Sequence, residues 1–287
     1  MLRKRLALGL GVSAAFLLLM WLDTALPGGP IFHVLVGLVM IGALIEVYGL
    51  AERHGDEPMK MLGIGLVVAF VVWDYAMRVR EGAASAEAPQ SARELLSGFY
   101  ASMGFAVAVG LWVLAAAHLL ARDPRRWLKG APATITGILY VWFTGAHLFP
   151  VRAMGIGYVL ALVAVAKLGD SGAFFAGTHW GRHKLAPRTS PNKTIEGAVG
   201  GLAASVLCGG ALALIFRLEG SVAFWVIFGL VVGGASQLGD LVASAIKRSA
   251  GAKDSGNLLP AFGGVLDVVD SPLMAAPVAL WLLALLG

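Results

Sequence analysis

An all-α, polytopic transmembrane protein with about nine membrane-spanning helices is the fold class that the sequence predicts, on three observations. Charged residues make up only 14% of the chain and hydrophobic residues 58%, whereas a soluble domain carries about 25% charge. Mean hydropathy is +0.80. The apolar residues also fall into runs of about 20, the length a helix needs to cross a bilayer.

The runs lie near 6–26, 31–51, 61–79, 98–120, 131–150, 153–175, 194–216, 222–246 and 271–286. The first follows Arg3, Lys4 and Arg5 and has the outline of a signal peptide. Asp23 and the bulky Trp21–Leu22 pair make a poor small-residue cleavage site, so this run is read as a retained anchor. The next three are joined by short loops and by the small-residue polar linker 81–97. The last five carry the polar, glycine-rich segments. The chain therefore divides into N-terminal transmembrane helices over 1–130 and a catalytic region over 131–287 that holds both motif segments.

Orientation follows from the basic residues. With the N-terminus inside and nine spans, the inner side collects Arg3, Lys4, Arg5, Arg53, Lys60, Arg122, Arg125, Arg126, Lys129, Arg182, Lys184, Arg188, Lys193, Lys247, Arg248 and Lys253. The outer side collects Arg78, Arg80, Arg93, Arg152 and Arg217. This bias is the positive-inside pattern. It places 167–197 and 236–270 at the cytoplasmic ends of spans and the C-terminus outside. The expected location is the cytoplasmic (inner) membrane of a bacterium.

Several classes drop out. One cysteine, Cys208, permits no intramolecular disulfide. There is no Walker A loop and no G-x-S-x-G elbow. His179 and His183 share a helical spacing but lack a third zinc ligand. Glu46 and Asp74, inside apolar spans, read as interhelical hydrogen-bonding residues. No nucleic-acid partner is expected.

Two constellations carry chemistry. The stretch from Ser244 to Asp270 packs Lys247, Arg248 and Lys253 with Asp254, Asp267 and Asp270 around a glycine pair, Gly263–Gly264. Charges near lipid are costly, so such a cluster marks function. Cations bind phosphate oxygens, and aspartates hold a divalent metal bridging them. Asp240, Ser244 and Lys247 lie on one helix face by spacing, and Asp267 and Asp270 share another. A solvated loop is the plain alternative for the last pair, and a simple turn for the glycines. The second constellation runs from Lys167 through Asp170 to Ser190-Pro-Asn-Lys193-Thr194-Ile-Glu196-Gly197. Asp170 reads equally as a ligand-binding group and as a helix-end residue facing water. The Ser190–Gly197 run reads as a helix start whose free amides favour an anion, with Lys193 and Thr194 adding donors. The alternative is a capped helix with a snorkelling lysine.

At these residues the chain resembles the phosphatidate cytidylyltransferase (CDP-diacylglycerol synthase) family. The family signature is matched without gaps by Ser244, Ile246, Lys247, Arg248, Lys253, Asp254, Gly256, Leu259, Pro260, Gly263, Gly264, Val265, Asp267, Val269 and Asp270. The GDSGAFFAG and GRHKLAPRTSPNKTIEG runs are similar to the family's upstream segment. Phe262, Val268 and Ala243 stand where the family has His, Arg and Glu.

The resemblance implies transfer of CMP from CTP to phosphatidate, giving CDP-diacylglycerol and pyrophosphate. It implies magnesium on Asp240, Asp267 and Asp270, with a second ion left open. Lys247, Arg248, Lys253 and Asp254 would be catalytic. Asp170, Ser190, Lys193, Thr194, Ser244, Gly263 and Gly264 would bind substrate. It also implies a homodimer in the bilayer. A transferase for another lipid or prenyl phosphate, a transporter and a silent scaffold are the rival readings; the charges cluster at one membrane face, and no inverted repeat of the transporter kind is present.

Overall fold

The computed structural model describes residues 11, 15–84, 92–120, 127–216, 218–258 and 263–286. Much of the first expected span, the basic residues Arg3, Lys4, Arg5, Arg122, Arg125, Arg126 and Arg217, much of the 81–97 linker, and signature positions Leu259, Pro260 and Phe262 lie outside them. Among the described residues, eight helical segments are long and apolar enough to cross a membrane. The chain is an integral membrane protein.

Residues 15–23 are helical, and after them come α1 (Pro30–His54), α2 (Lys60–Ala84), α3 (Ala92–Leu120), α4 (Trp127–Ile138), α5 (Thr144–Ala146), α6 (Leu148–Met154), α7 (Ile156–Trp180), α8 (Ile195–Phe216), α9 (Val222–Ser249) and α10 (Leu266–Leu283). Their ends follow local chemistry. Pro30 opens α1 and Gly55 closes it at φ 100°, a conformation that glycine adopts without strain. Ser221 caps α9 by accepting a hydrogen bond from the Phe224 N–H.

Two features depart from the expected pattern. The 131–150 run is not one regular helix. It passes from α4 into a π-helical turn, Leu139–Phe143, and then into the short α5 and α6. The fold is also not wholly α: Lys184–Ala186 (β1) and Ser190–Thr194 (β2) form an antiparallel hairpin between α7 and α8. Hydropathy carried no signal for the hairpin, because its residues are polar and lie beyond the end of the span. Glu196 pins it by accepting from the Arg182 and His183 N–H groups and from His183 Nδ1.

Helices α7, α8 and α9 pack side by side, and α10 packs against α9 and α7, with α1 behind it. Small residues set these distances. A Cβ on Gly172 would collide with Ala204, one on Gly200 with Ala176, and one on Gly229 with the Ser205 backbone. Lipid tails are as apolar as leucine, so helices in a bilayer gain little from the hydrophobic effect, and close van der Waals approach at small residues substitutes for it. Two part-buried ion clusters stand at the end remote from the hairpin, one joining the start of the chain to α6 and one joining α1 to α2. Asp23 pairs with Arg152 at 2.8 Å and accepts the Phe32 N–H. Asp74, expected as an interhelical hydrogen-bonding residue, pairs with His33 and Arg78.

Gly229→Ala should therefore overpack the α8–α9 seam and cost about 1–3 kcal/mol, read as a lower unfolding midpoint in detergent. Gly49→Ala, where a Cβ meets nothing within 4 Å, should leave that midpoint unchanged or raise it.

Candidate active site

The end of the bundle that carries the hairpin gathers the C-terminal halves of α1, α7 and α9 and the start of α10. Asp240 lies about 13 Å of helix axis before the last residue of α9. The carboxylates are thus set back from the helix end, and Ser255, in the stretch after α9, reaches α10 by donating its N–H to Asp267.

Asp267 and Asp270 occupy the first turn of α10, as their spacing implied, but they serve different neighbours. Asp267 accepts from Lys247 Nζ at 2.6 Å and from the N–H groups of Ser255 and Gly264, both at 3.0 Å. It therefore ties Ser255 and Gly264 to the start of α10 and to Lys247 of α9. Asp270 is buried, 4% exposed, and accepts from the Ser271 N–H and hydroxyl. Asp170 and Asp270 both lie within electrostatic range of Asp240, so α7, α9 and α10 each contribute one carboxylate to a single cluster. Gly239 makes the α9–α10 approach possible, since a Cβ there would meet the Asp270 carbonyl at 2.7 Å and Met274 at 2.8 Å.

Lysines compensate the cluster. Lys193, from β2, pairs with Asp240 at 2.7 Å. Lys167 donates to the Val268 carbonyl at 2.7 Å and stands 3.6 Å from Asp170. These contacts anchor the hairpin and α7 to the site, so Lys193 does not snorkel. Thr194 is buried, and its hydroxyl accepts the Gly197 N–H at the start of α8; it shapes the helix start that the sequence implied. Arg248 donates to the Thr189 and Ala252 carbonyls, joining the hairpin turn to the 250–258 loop. Ser190 and Ser244 are half-buried, while Lys253 and Asp254 are exposed on that loop.

The glycine pair serves the loop itself. Gly263 has φ 93°, and a Cβ on Gly264 would collide with Ser255 and Glu46. Glu46 was read from sequence as an interhelical hydrogen-bonding residue, and its partner is this loop. Buried in α1, it accepts from Ser255 Oγ at 2.8 Å and from the Val265 and Leu266 N–H groups, both at 2.9 Å. A carboxylate deep in an apolar span was the available signal; its target, about 210 residues along the chain, was not legible.

The donor set bears on the expected magnesium. Among the described residues no three His, Cys, Asp or Glu side chains stand together as a ready-made cage, and Asp267 and Asp270 do not converge. Magnesium needs no such cage: one or two carboxylates plus substrate phosphates and waters suffice. Asp240 and Asp270, with Asp170 beside them, fit that requirement. Asp267 is occupied by Lys247 and two backbone amides.

Comparison with known proteins covers the whole chain. The model of the Cytidylyltransferase family matches residues 3–286. A protein named phosphatidate cytidylyltransferase from Staphylococcus epidermidis is 30% identical over 267 residues, 93% of this chain and 95% of its own. One of the same name from Staphylococcus haemolyticus is 29% identical over 268 residues, again 93% and 95%. A third, from Staphylococcus saprophyticus, is 40% identical over 145 residues, 50% of this chain. In that alignment the chain spans 55% of the relative's length.

Replacing Glu46 separates support from chemistry. Glu46→Ala leaves two buried N–H groups and a hydroxyl unpaired and should destabilise the protein by about 2 kcal/mol or more. Glu46→Gln, which keeps one acceptor oxygen, should lose less. Unfolding midpoints in detergent for both variants check the order.

Proposed function

We propose that this chain, which belongs to the cytidylyltransferase family, transfers CMP from CTP to phosphatidate and releases pyrophosphate. The observation that carries the reading is the recessed cluster of Asp170, Asp240 and Asp270, flanked by Lys167 and Lys193 at one end of a membrane-spanning bundle. A site at that depth meets a water-soluble triphosphate from one side and a lipid headgroup from the bilayer.

In the reaction, an oxygen of the lipid phosphate forms a bond to the α-phosphorus of CTP as the bond from that phosphorus to the β-phosphate bridging oxygen breaks. A phosphate monoester is already anionic near neutral pH, so no strong general base is required, and positioning with charge neutralisation supplies the rate. That chemistry makes the replacement of the family histidine by Phe262 tolerable. Asp240 and Asp270, with Asp170, would hold magnesium, which when bound neutralises phosphate charge. Lys193 and Lys247 are paired with Asp240 and Asp267, and each can turn its remaining donors to phosphate oxygens. Lys253 and Asp254, on the exposed loop, would meet the nucleotide at the mouth of the site. Ser190 and Ser244 border it.

The site end is read as cytoplasmic, where the basic loops gather, and the protein as a homodimer. The second reading, a transferase for another lipid or prenyl phosphate, rests on Phe262, Val268 and Ala243 in place of the family's His, Arg and Glu.

Purified protein in mixed micelles should release pyrophosphate only when CTP, magnesium and phosphatidate are all present, with CDP-diacylglycerol in the lipid phase. Release with a different lipid phosphate alone would move the assignment to the second reading. No release with any acceptor, from folded protein, would contradict both.

A further inference from the structure

Tyr140 is a residue to which neither the motifs nor the reaction assigns a task. It lies in the π-helical turn Leu139–Phe143 and is 8% exposed. Its hydroxyl is buried and has no hydrogen-bond partner. An unpaired buried hydroxyl is costly, roughly 1–3 kcal/mol, and native structures leave few without a reason. Among the described residues the other such group is Ser236 Oγ, one helical turn before Asp240 on the same face of α9. Tyr140 itself lies within electrostatic range of Asp240 and Asp270. Both orphan hydroxyls thus attend the carboxylate cluster.

The backbone around Tyr140 is specialised. π-turns are rare and concentrate at functional sites. The Thr144 hydroxyl donates back to the Tyr140 carbonyl and so stabilises this one. Leu139 and Trp142, in the same turn, line with Ile138 an apolar groove that Leu66 and Phe70 of α2 and Leu111 of α3 complete. The turn therefore borders an apolar groove between membrane helices and carries a lone buried hydroxyl near a charged site. Apolar surface beside an anion-binding group is the chemistry that receives a lipid phosphate.

We infer that the Tyr140 hydroxyl is a substrate-binding group that donates a hydrogen bond to the phosphate of the acceptor lipid, positioning it beside Asp240 and Asp270. This rests on the proposed lipid-phosphate acceptor. In the proposed reaction Lys253 and Asp254 on the exposed 250–258 loop meet the nucleotide, whereas Tyr140 lies buried in the middle of a span.

The test compares wild type with Tyr140→Phe, both full-length and purified in mixed micelles. Because the hydroxyl makes no bond within the protein, its removal should leave the unfolding midpoint unchanged or higher. A hydrogen bond to a charged group is worth enough that kcat/KM for phosphatidate should fall by about ten- to a hundred-fold, with KM for CTP within about twofold. Short-chain phosphatidate should raise the unfolding midpoint of wild type and do so less for the variant. Unchanged kcat/KM together with an equal midpoint rise would overturn the inference. A raised KM for CTP with phosphatidate kinetics intact would overturn it too, placing the hydroxyl on the nucleotide. If wild type shows no turnover on phosphatidate yet gains a midpoint rise that the variant loses, the proposed reaction fails and the Tyr140 assignment stands. A wild type with neither response overturns both.

Discussion

Glu46 and the loop it holds are the constraint on which the site end depends. The described parts of the segment between α9 and α10, 250–258 and 263–265, bring backbone amides to the level of the α10 start, where none can be left unpaired. Three groups of that segment, the Ser255 hydroxyl and the Val265 and Leu266 N–H groups, converge on the carboxylate of Glu46. Asp267 takes two more amides and closes the segment onto Lys247. A carboxylate from each end of the chain thus fixes where α10 begins, and hence where Asp270 stands. Charged acceptors suit this work because charge-assisted hydrogen bonds are about twice as strong as neutral ones.

That support divides the acidic residues into two tasks. Glu46 and Asp267 hold backbone. Asp170 and Asp270 lie within electrostatic range of Asp240, with Lys167 and Lys193 beside them, and repulsion among such carboxylates is relieved by added cationic charge. The same division holds among the cations, where Arg248 ties two loops together while Lys193 and Lys167 sit at the cluster. The candidate site is therefore acidic at its cluster and held in place by separate groups.

Much of this was legible in the sequence. The apolar runs gave the helices, and the signature placed Lys247, Asp267 and Asp270 together on adjoining segments, with Asp240 joined to them by its helical spacing from Ser244 and Lys247. Local spacing could not tell that Asp267 and Asp270, three residues apart, would turn to different partners; the segment before α10 decides that. The hairpin was missed because hydropathy does not register a short polar turn. The π-turn was hidden inside an apolar run whose periodicity differs from a regular helix by one residue. Tyr140 and Glu46 act across the fold, on residues far away in the chain, and no spacing rule reaches that distance.

The division of labour among the aspartates is the central claim, and a comparison of Asp240→Asn with Asp267→Asn measures it most directly, as turnover and unfolding midpoint on the same purified samples. Asp240→Asn should abolish turnover while its midpoint falls less than that of Asp267→Asn, since loss of the Lys193 pair is offset by relief of repulsion from Asp170 and Asp270. Asp267→Asn should lower the midpoint along with activity, because the loop loses its anchor and Lys247 its partner. Wild-type turnover in Asp240→Asn, or a midpoint loss there as large as in Asp267→Asn, would contradict the account.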